Sequence, residues 1–66
     1  MMLENKIRLL RAEKRITQEE LGNACELSRQ SVNSIENGKF VPSVITAIKI
    51  ANYFEKPVES IFNIKQ

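Results

Sequence analysis

Two helix starts stand close together in the stretch TQEELGNACELSRQSVNSIENG, residues 17–38. Thr17 opens T-Q-E-E, a capping box in which the Thr17 hydroxyl and the Glu20 carboxylate satisfy each other's backbone N–H groups, and Ser28 is a second good N-cap. Asn37-Gly38 closes the stretch, because Gly38 suits the left-handed position that follows a helix. Only Glu26 and Leu27 separate the first helix from the second cap, so the chain must form two short helices about a tight turn. Leu21, Ala24 and Cys25 supply the inner face of the first, and Val32 and Ile35 that of the second. Leu21, Leu27, Val32 and Ile35 can converge only if the two cross steeply.

The rest of the chain also reads as helix, since no segment alternates long enough for a buried strand. Leu3, Ile7 and Leu10 fall on one stripe, joined by Arg11, which predicts a first helix from about residue 3 to 14. Lys6, Arg8, Lys14 and Arg15 occupy its other sides and read as a solvated face rather than as groove contacts. After KFVP, Ser43 caps a fourth helix with Val44, Ala47, Ile48, Ala51 and Phe54 inward. Pro57 belongs in a first turn, and VESIF predicts a short fifth helix with Val58, Ile61 and Phe62 on the core. Phe62 and Ile64 alternate around Asn63, so the tail NIKQ can run extended as a short C-terminal strand. With 66 residues there is one core to build, and the reading is a compact, all-α, five-helix single domain over 1–66.

Missing residues narrow the function. There is no His, Asp or Trp, and all eight acidic residues are Glu. A Ser-His-Asp triad, a Cys-His pair and a His/Cys metal cluster are therefore excluded within one chain, which argues against an enzyme. The only glycines are Gly22 and Gly38, so no phosphate-binding glycine loop exists. No cofactor, metal or small-molecule ligand is expected. One cysteine, Cys25, cannot form an internal disulfide and reads as a small core residue in a reducing compartment, with a redox sensor as the lesser reading. No run approaches the roughly eighteen apolar residues of a membrane span, and MMLENKIRLLRAEK is charged and amphipathic, not a signal peptide. The expectation is a soluble, cytoplasmic protein.

The helix after Ser28 carries the chemistry. If Val32 and Ile35 face inward, rotation of 100° per residue turns Arg29, Gln30, Asn33 and Ser34 outward as one patch. An Arg can fork onto the O6 and N7 of guanine, Gln and Asn can pair with the N6 and N7 of adenine, and Ser can donate to a base or phosphate. The other reading of the same pattern is an ordinary solvated face. Arg11 lies on the apolar stripe and Glu36 follows Ile35, so an ion pair tying the first helix to the third is predicted, because charges are rarely buried unpaired. Tyr53 and Phe40 fit either a core edge or a dimer contact.

TQEELGNACELSRQSVNSIENGK, followed by VPS and AIKIANYFEKPVESIF, resembles the Cro/C1-type helix-turn-helix transcriptional regulators, also called the XRE family, from about Asn5 to Phe62. The resemblance implies a five-helix domain similar to phage repressors, with its helix-turn-helix at about 17–37, usually dimeric on palindromic operators. By that resemblance Arg29, Gln30, Asn33 and Ser34 read the major groove of double-stranded DNA. Thr17, Gln18, Asn37 and Lys39 hold its backbone. The expected function is thus a sequence-specific DNA-binding regulator, a repressor acting as a homodimer, with an antitoxin-type or other protein-interaction module as the alternative. The dimer element expected is the tail 62–66, with Ile61, Phe62 and Ile64 at the contact, against the competing view of a frayed terminus. Two positions depart from the family pattern. Gly22 stands where Ala is usual, and Glu26 where Gly is frequent at a turn that tends to need positive φ, so a slightly altered turn is expected.

Overall fold

The structure, a computed structural model, describes residues 2–66. In chain order it builds strand β1 (Met2–Asn5), helices α1 (Ile7–Lys14), α2 (Gln18–Cys25), α3 (Arg29–Glu36) and α4 (Val44–Phe54), a single 3-10 turn (Val58–Ser60) and strand β2 (Phe62–Lys65). The fold is thus mostly helical, with four helices and a two-stranded antiparallel sheet, not the five-helix all-α domain expected from the sequence. The caps at Thr17, Ser28 and Ser43 are all made. Thr17 Oγ1 accepts from the Glu20 N–H at 3.0 Å while Glu20 Oε1 accepts from the Thr17 N–H at 2.8 Å. Ser28 and Ser43 each accept from the N–H three residues on.

Both ends of the chain depart from the helical reading, and for one reason. β1 and β2 pair with Leu3 opposite Ile64 and Asn5 opposite Phe62. Leu3 therefore reaches the core from a strand, and α1 begins only at Ile7. Asn5 marks that boundary: its Oδ1 accepts from the Ile7 N–H at 3.1 Å, and its Nδ2 donates to the Ile35 carbonyl at 2.9 Å, tying the sheet to α3. At the other end VESIF makes one 3-10 turn in place of a fifth helix, and Ile61 and Phe62 leave it into β2. Ile61 is fully buried and Phe62 nearly so. Of the three residues expected at a dimer contact, Ile61, Phe62 and Ile64, only Ile64 is exposed.

One core joins every element. Ile7 and Leu10 from α1, Leu21 and Cys25 from α2, and Val32 and Ile35 from α3 meet Ile50, Ala51 and Phe54 from α4. Burial raises the Cys25 thiol pKa, although the Lys49 charge opposes the shift. Cys25 is a packing residue. Tyr53 stacks edge-on against Phe54 and is covered by Lys14, whose Nζ lies 5.3 Å from the ring centre. Ala24 is exposed, against expectation. In α4 the inward set is Ala47, Ile50, Ala51 and Phe54, whereas Val44 and Ile48, expected inside, are 75% and 45% exposed. Together with Ile45 they form a second apolar face that flanks the buried one. No helix among the described residues is long and apolar enough to cross a membrane.

The turn between α2 and α3 keeps the left-handed conformation despite its side chain: Glu26 has φ 60° and ψ 41°. Its carboxylate accepts from Lys49 Nζ at 2.8 Å. The next N–H, that of Leu27, donates back to the Gly22 carbonyl at 2.7 Å. A Cβ on Gly22 would lie 2.5 Å from the Leu27 carbonyl oxygen, so this version of the turn closes onto the helix more tightly than an alanine permits.

Candidate nucleic-acid interface

α3 presents its outer face on a scaffold anchored by a buried charge. Glu36, the last residue of α3, has a fully buried side chain, and Arg11 from α1 is only 16% exposed. Arg11 Nε donates to Glu36 Oε2 at 2.6 Å and Nη2 to Oε1 at 3.2 Å, a bidentate fork, while Nη1 donates to the Ile16 carbonyl at 2.9 Å. Such a fork fixes geometry as well as charge. Burial alone would push the Glu36 carboxyl up. Hydrogen bonds from Arg11 and Gln18 and the charges of Arg11 and Arg8 outweigh that and hold it below the ordinary glutamate range. The same pairing raises Arg11.

From Glu36 the network runs outward to the face. Gln18 Nε2 donates to Glu36 Oε1 at 3.2 Å and to Asn33 Oδ1 at 3.1 Å. Asn37 Nδ2 donates to the same Asn33 oxygen at 3.3 Å, and Asn37 Oδ1 accepts from Arg8 Nη2 at 2.7 Å. Arg8 Nε also stands 3.5 Å from Glu36 Oε1. Arg8, read from sequence as part of a solvated face, therefore belongs to the site. The available signal was its position three residues before Arg11, which places both on the same side of α1.

Of the four residues expected to face outward on α3, Arg29, Gln30 and Asn33 are exposed and Ser34 is half-buried. Ser34 and Gln30 line a recess of about 320 Å³ together with Ser28, Ser31, Lys39 and Phe40. Among the described residues no side-chain hydrogen bond engages Arg29 or Gln30, which leaves a guanidinium and an amide open to a ligand. Thr17 and Gln18 stand at the N-terminus of α2, where backbone N–H groups lack helical partners and attract anions. Asn37 and Lys39 are exposed just past the end of α3. Polar donors thus bracket the α3 face on two sides, with a cation at each end of the helix, Arg29 and Lys39.

Known proteins are similar to this chain in sequence and in fold. The helix-turn-helix family model matches residues 7–61. An uncharacterized HTH-type transcriptional regulator of Methanocaldococcus jannaschii is 42% identical over 60 residues, and one of Bacillus subtilis 40% identical, each alignment covering 91% of both chains. Among solved structures, the restriction-modification controller protein C.AhdI of Aeromonas hydrophila superposes with a TM-score of 0.78 at 27% identity over 83% of each chain. A Bacteroides fragilis crystal structure superposes at 0.82 over 94% of this chain and all of its own, a likeness of fold at 24% identity. With the capped helix pair, its turn and the exposed face of α3 in place, the chain belongs to the Cro/C1-type (XRE) helix-turn-helix family of DNA-binding transcription regulators.

Proposed function

We propose that this protein binds a palindromic operator in double-stranded DNA as a homodimer and represses transcription by occupying it. The observation that carries the reading is the α3 face itself: a short helix whose exposed side chains are hydrogen-bonding groups, held rigid from beneath by a buried ion pair. Arg29, Gln30, Asn33 and Ser34 would contact base edges in the major groove. The Thr17 hydroxyl, the backbone N–H groups at the start of α2, Asn37 and Lys39 would grip phosphates. Gln18 contributes there through its backbone, since its amide hydrogens are already committed to Glu36 and Asn33.

Scale and surface both support the homodimer. One eight-residue helix spans too few base pairs to select a site in a genome, and paired half-sites lie about 34 Å apart. The molecule measures 31 × 22 × 21 Å, so two copies side by side span that distance. The surface that would join them is the outer stripe of α4 and the loop before it: Val41, Val44, Ile45 and Ile48, with Phe40 beside α3, are all well exposed. None carries a charge, so the stripe can face its own copy across a two-fold axis without like-charge repulsion. Ile64 shares a sheet face with Leu3 and Phe62, which line one cleft with Phe40 and Val41. It therefore extends the same surface.

Selection of bound sites from random duplex DNA, followed by titration of the selected site across salt, tests the DNA reading. A palindromic consensus and a steep salt dependence are expected, whereas equal binding to all sequences would sink it. Sedimentation tests the dimer. Wild type should sediment as a dimer and Ile45→Glu as a folded monomer. A wild-type monomer at tens of micromolar would overturn the second-copy assignment and leave the stripe to a different protein.

A further inference from the structure

We infer that Asn33 is held as a pure hydrogen-bond donor, so that it selects guanine and not adenine at the base pair it meets. The inference rests on the DNA-reading role of α3 and adds the polarity of one contact within it.

An asparagine amide can ordinarily rotate to offer either its oxygen or its NH₂, and that freedom is what allows the bidentate match to adenine, one donor plus one acceptor. Here the rotation is fixed from two ends, each of them ionic. The ionised Glu36 carboxylate can only accept, so Gln18 must turn its NH₂ toward it; the second hydrogen of that NH₂ then meets Asn33 Oδ1 at 3.1 Å. The Arg8 guanidinium can only donate, so Asn37 must turn its oxygen toward it, at 2.7 Å. Its NH₂ is thereby directed at the same Asn33 oxygen, at 3.3 Å. Two independent chains, one from a buried carboxylate and one from a surface guanidinium, thus deliver donors to Asn33 Oδ1. Turning Asn33 over would bring its NH₂ against two other NH₂ groups and lose both bonds. With the oxygen saturated, Asn33 shows the groove two N–H donors. Guanine offers two acceptors, O6 and N7, at the major-groove edge. Adenine's N6 and cytosine's N4 offer donors, which the exposed NH₂ cannot satisfy, and thymine offers a single acceptor, O4, against guanine's two. Gln18 and Asn37 are positioning residues in this arrangement.

The test is site selection from random duplex DNA with wild type, Asn33→Ala, Asn33→Asp and the double variant Gln18→Ala/Asn37→Ala, each checked for helical content by circular dichroism. Asn33→Ala should abolish preference at one position per half-site, and the base lost there should be guanine, favoured about tenfold or more by the wild type. Asn33→Asp keeps an oxygen for Gln18 and Asn37 to bond but shows the groove an acceptor, so the preference should move to cytosine. The double variant frees the amide to rotate, and its guanine-to-adenine ratio at that position should fall toward one, whatever uniform loss of affinity accompanies it. Adenine at the Asn33-dependent position of the wild type overturns the inference, as does a double variant that retains the full guanine preference. If Asn33→Ala changes no position while a consensus persists, Asn33 does not read bases. If the wild type enriches no sequence at all, the DNA reading beneath the inference fails with it.

Discussion

Replacing Glu36 by alanine should cost this domain a large share of its stability. Glu36 accepts two hydrogen bonds from Arg11 and one from Gln18, with its side chain fully buried. Without it, the Arg11 guanidinium keeps one bond, to the Ile16 carbonyl, at a site where it is 16% exposed. Stranding one partner of a buried pair costs about 3 to 5 kcal/mol. Arg8 is 65% exposed and solvated, so its loss adds nothing to count. Partial access of water to Arg11 and Gln18 places the effect at the low end, about 3 kcal/mol. A chain of 66 residues at roughly 0.05 to 0.15 kcal/mol per residue has only ~3 to 10 kcal/mol in total. With a urea m-value of about 1 kcal/mol/M, the unfolding midpoint at pH 7 should fall by about 3 M. A shift below about 0.5 M would refute the buried-pair argument. The pH dependence provides a second check. The folded Glu36 carboxyl lies below its ordinary range, so its contribution is fully present above the unfolded-state value of about 4.3 and is lost as pH falls through the lower folded value. Glu36→Gln should therefore lose stability at neutral pH and show a flatter acid limb than wild type.

Gly22→Ala should destabilise the fold despite the better helix propensity of alanine, because its Cβ would sit 2.5 Å from the Leu27 carbonyl oxygen; a raised melting temperature would contradict this. Glu26→Gly should stabilise by about 1 kcal/mol, since relief of the left-handed strain outweighs an exposed ion pair with Lys49, as a urea melt would show. Arg29→Ala and Gln30→Ala should each lower affinity for the selected operator by ~1 to 3 kcal/mol and leave random-sequence binding much less changed. Equal losses on both DNAs in a titration would show that they hold the backbone instead. Lys39→Ala should weaken both and lower the salt slope by about one.

What the sequence reveals here is what is decided locally. A cap spans four residues, so Thr17, Ser28 and Ser43 announce their helices without help from the rest of the chain. The sheet is not local. Leu3 meets Ile64 from the far end of the chain, and Leu3 also fits the helical stripe of Ile7 and Leu10, so periodicity favours the wrong element. Only the Asn5 side chain, capping Ile7 from outside, betrays the boundary. α4 poses a different ambiguity: apolar residues line two faces, and a hydrophobic pattern says that a face is apolar without saying which neighbour covers it. Ala47, Ile50, Ala51 and Phe54 meet the core while Val44, Ile45 and Ile48 stay outside. In the site, the residues on α3 and the Arg11–Glu36 pair follow from helical spacing. The links through Gln18, Asn37 and Arg8 join three separate elements and depend on rotamers that no spacing encodes.

On the proposed reading of α3, those links tie stability and specificity to the same side chain. Glu36 is buried because Arg11 neutralises it, and it is ionised because Arg11, Gln18 and Arg8 supply charge or hydrogen bonds. Its ionisation in turn dictates which end of Gln18 faces it, and hence which end of Asn33 faces outward. A neutral acceptor such as glutamine could satisfy part of Arg11 while offering an NH₂ of its own, and the direction of Gln18 would become free, leaving Asn33 oriented by Asn37 alone. A helix face composed of amides is ambiguous by itself, since each can present either polarity at similar cost. A buried carboxylate beneath that face removes the ambiguity on one side, as the Arg8 guanidinium does on the other. On the proposed reading of α3, substitutions at Glu36 should therefore weaken the guanine preference at the Asn33 position even in variants stable enough to stay folded, and that preference is the quantity that separates this coupling from a simple loss of fold.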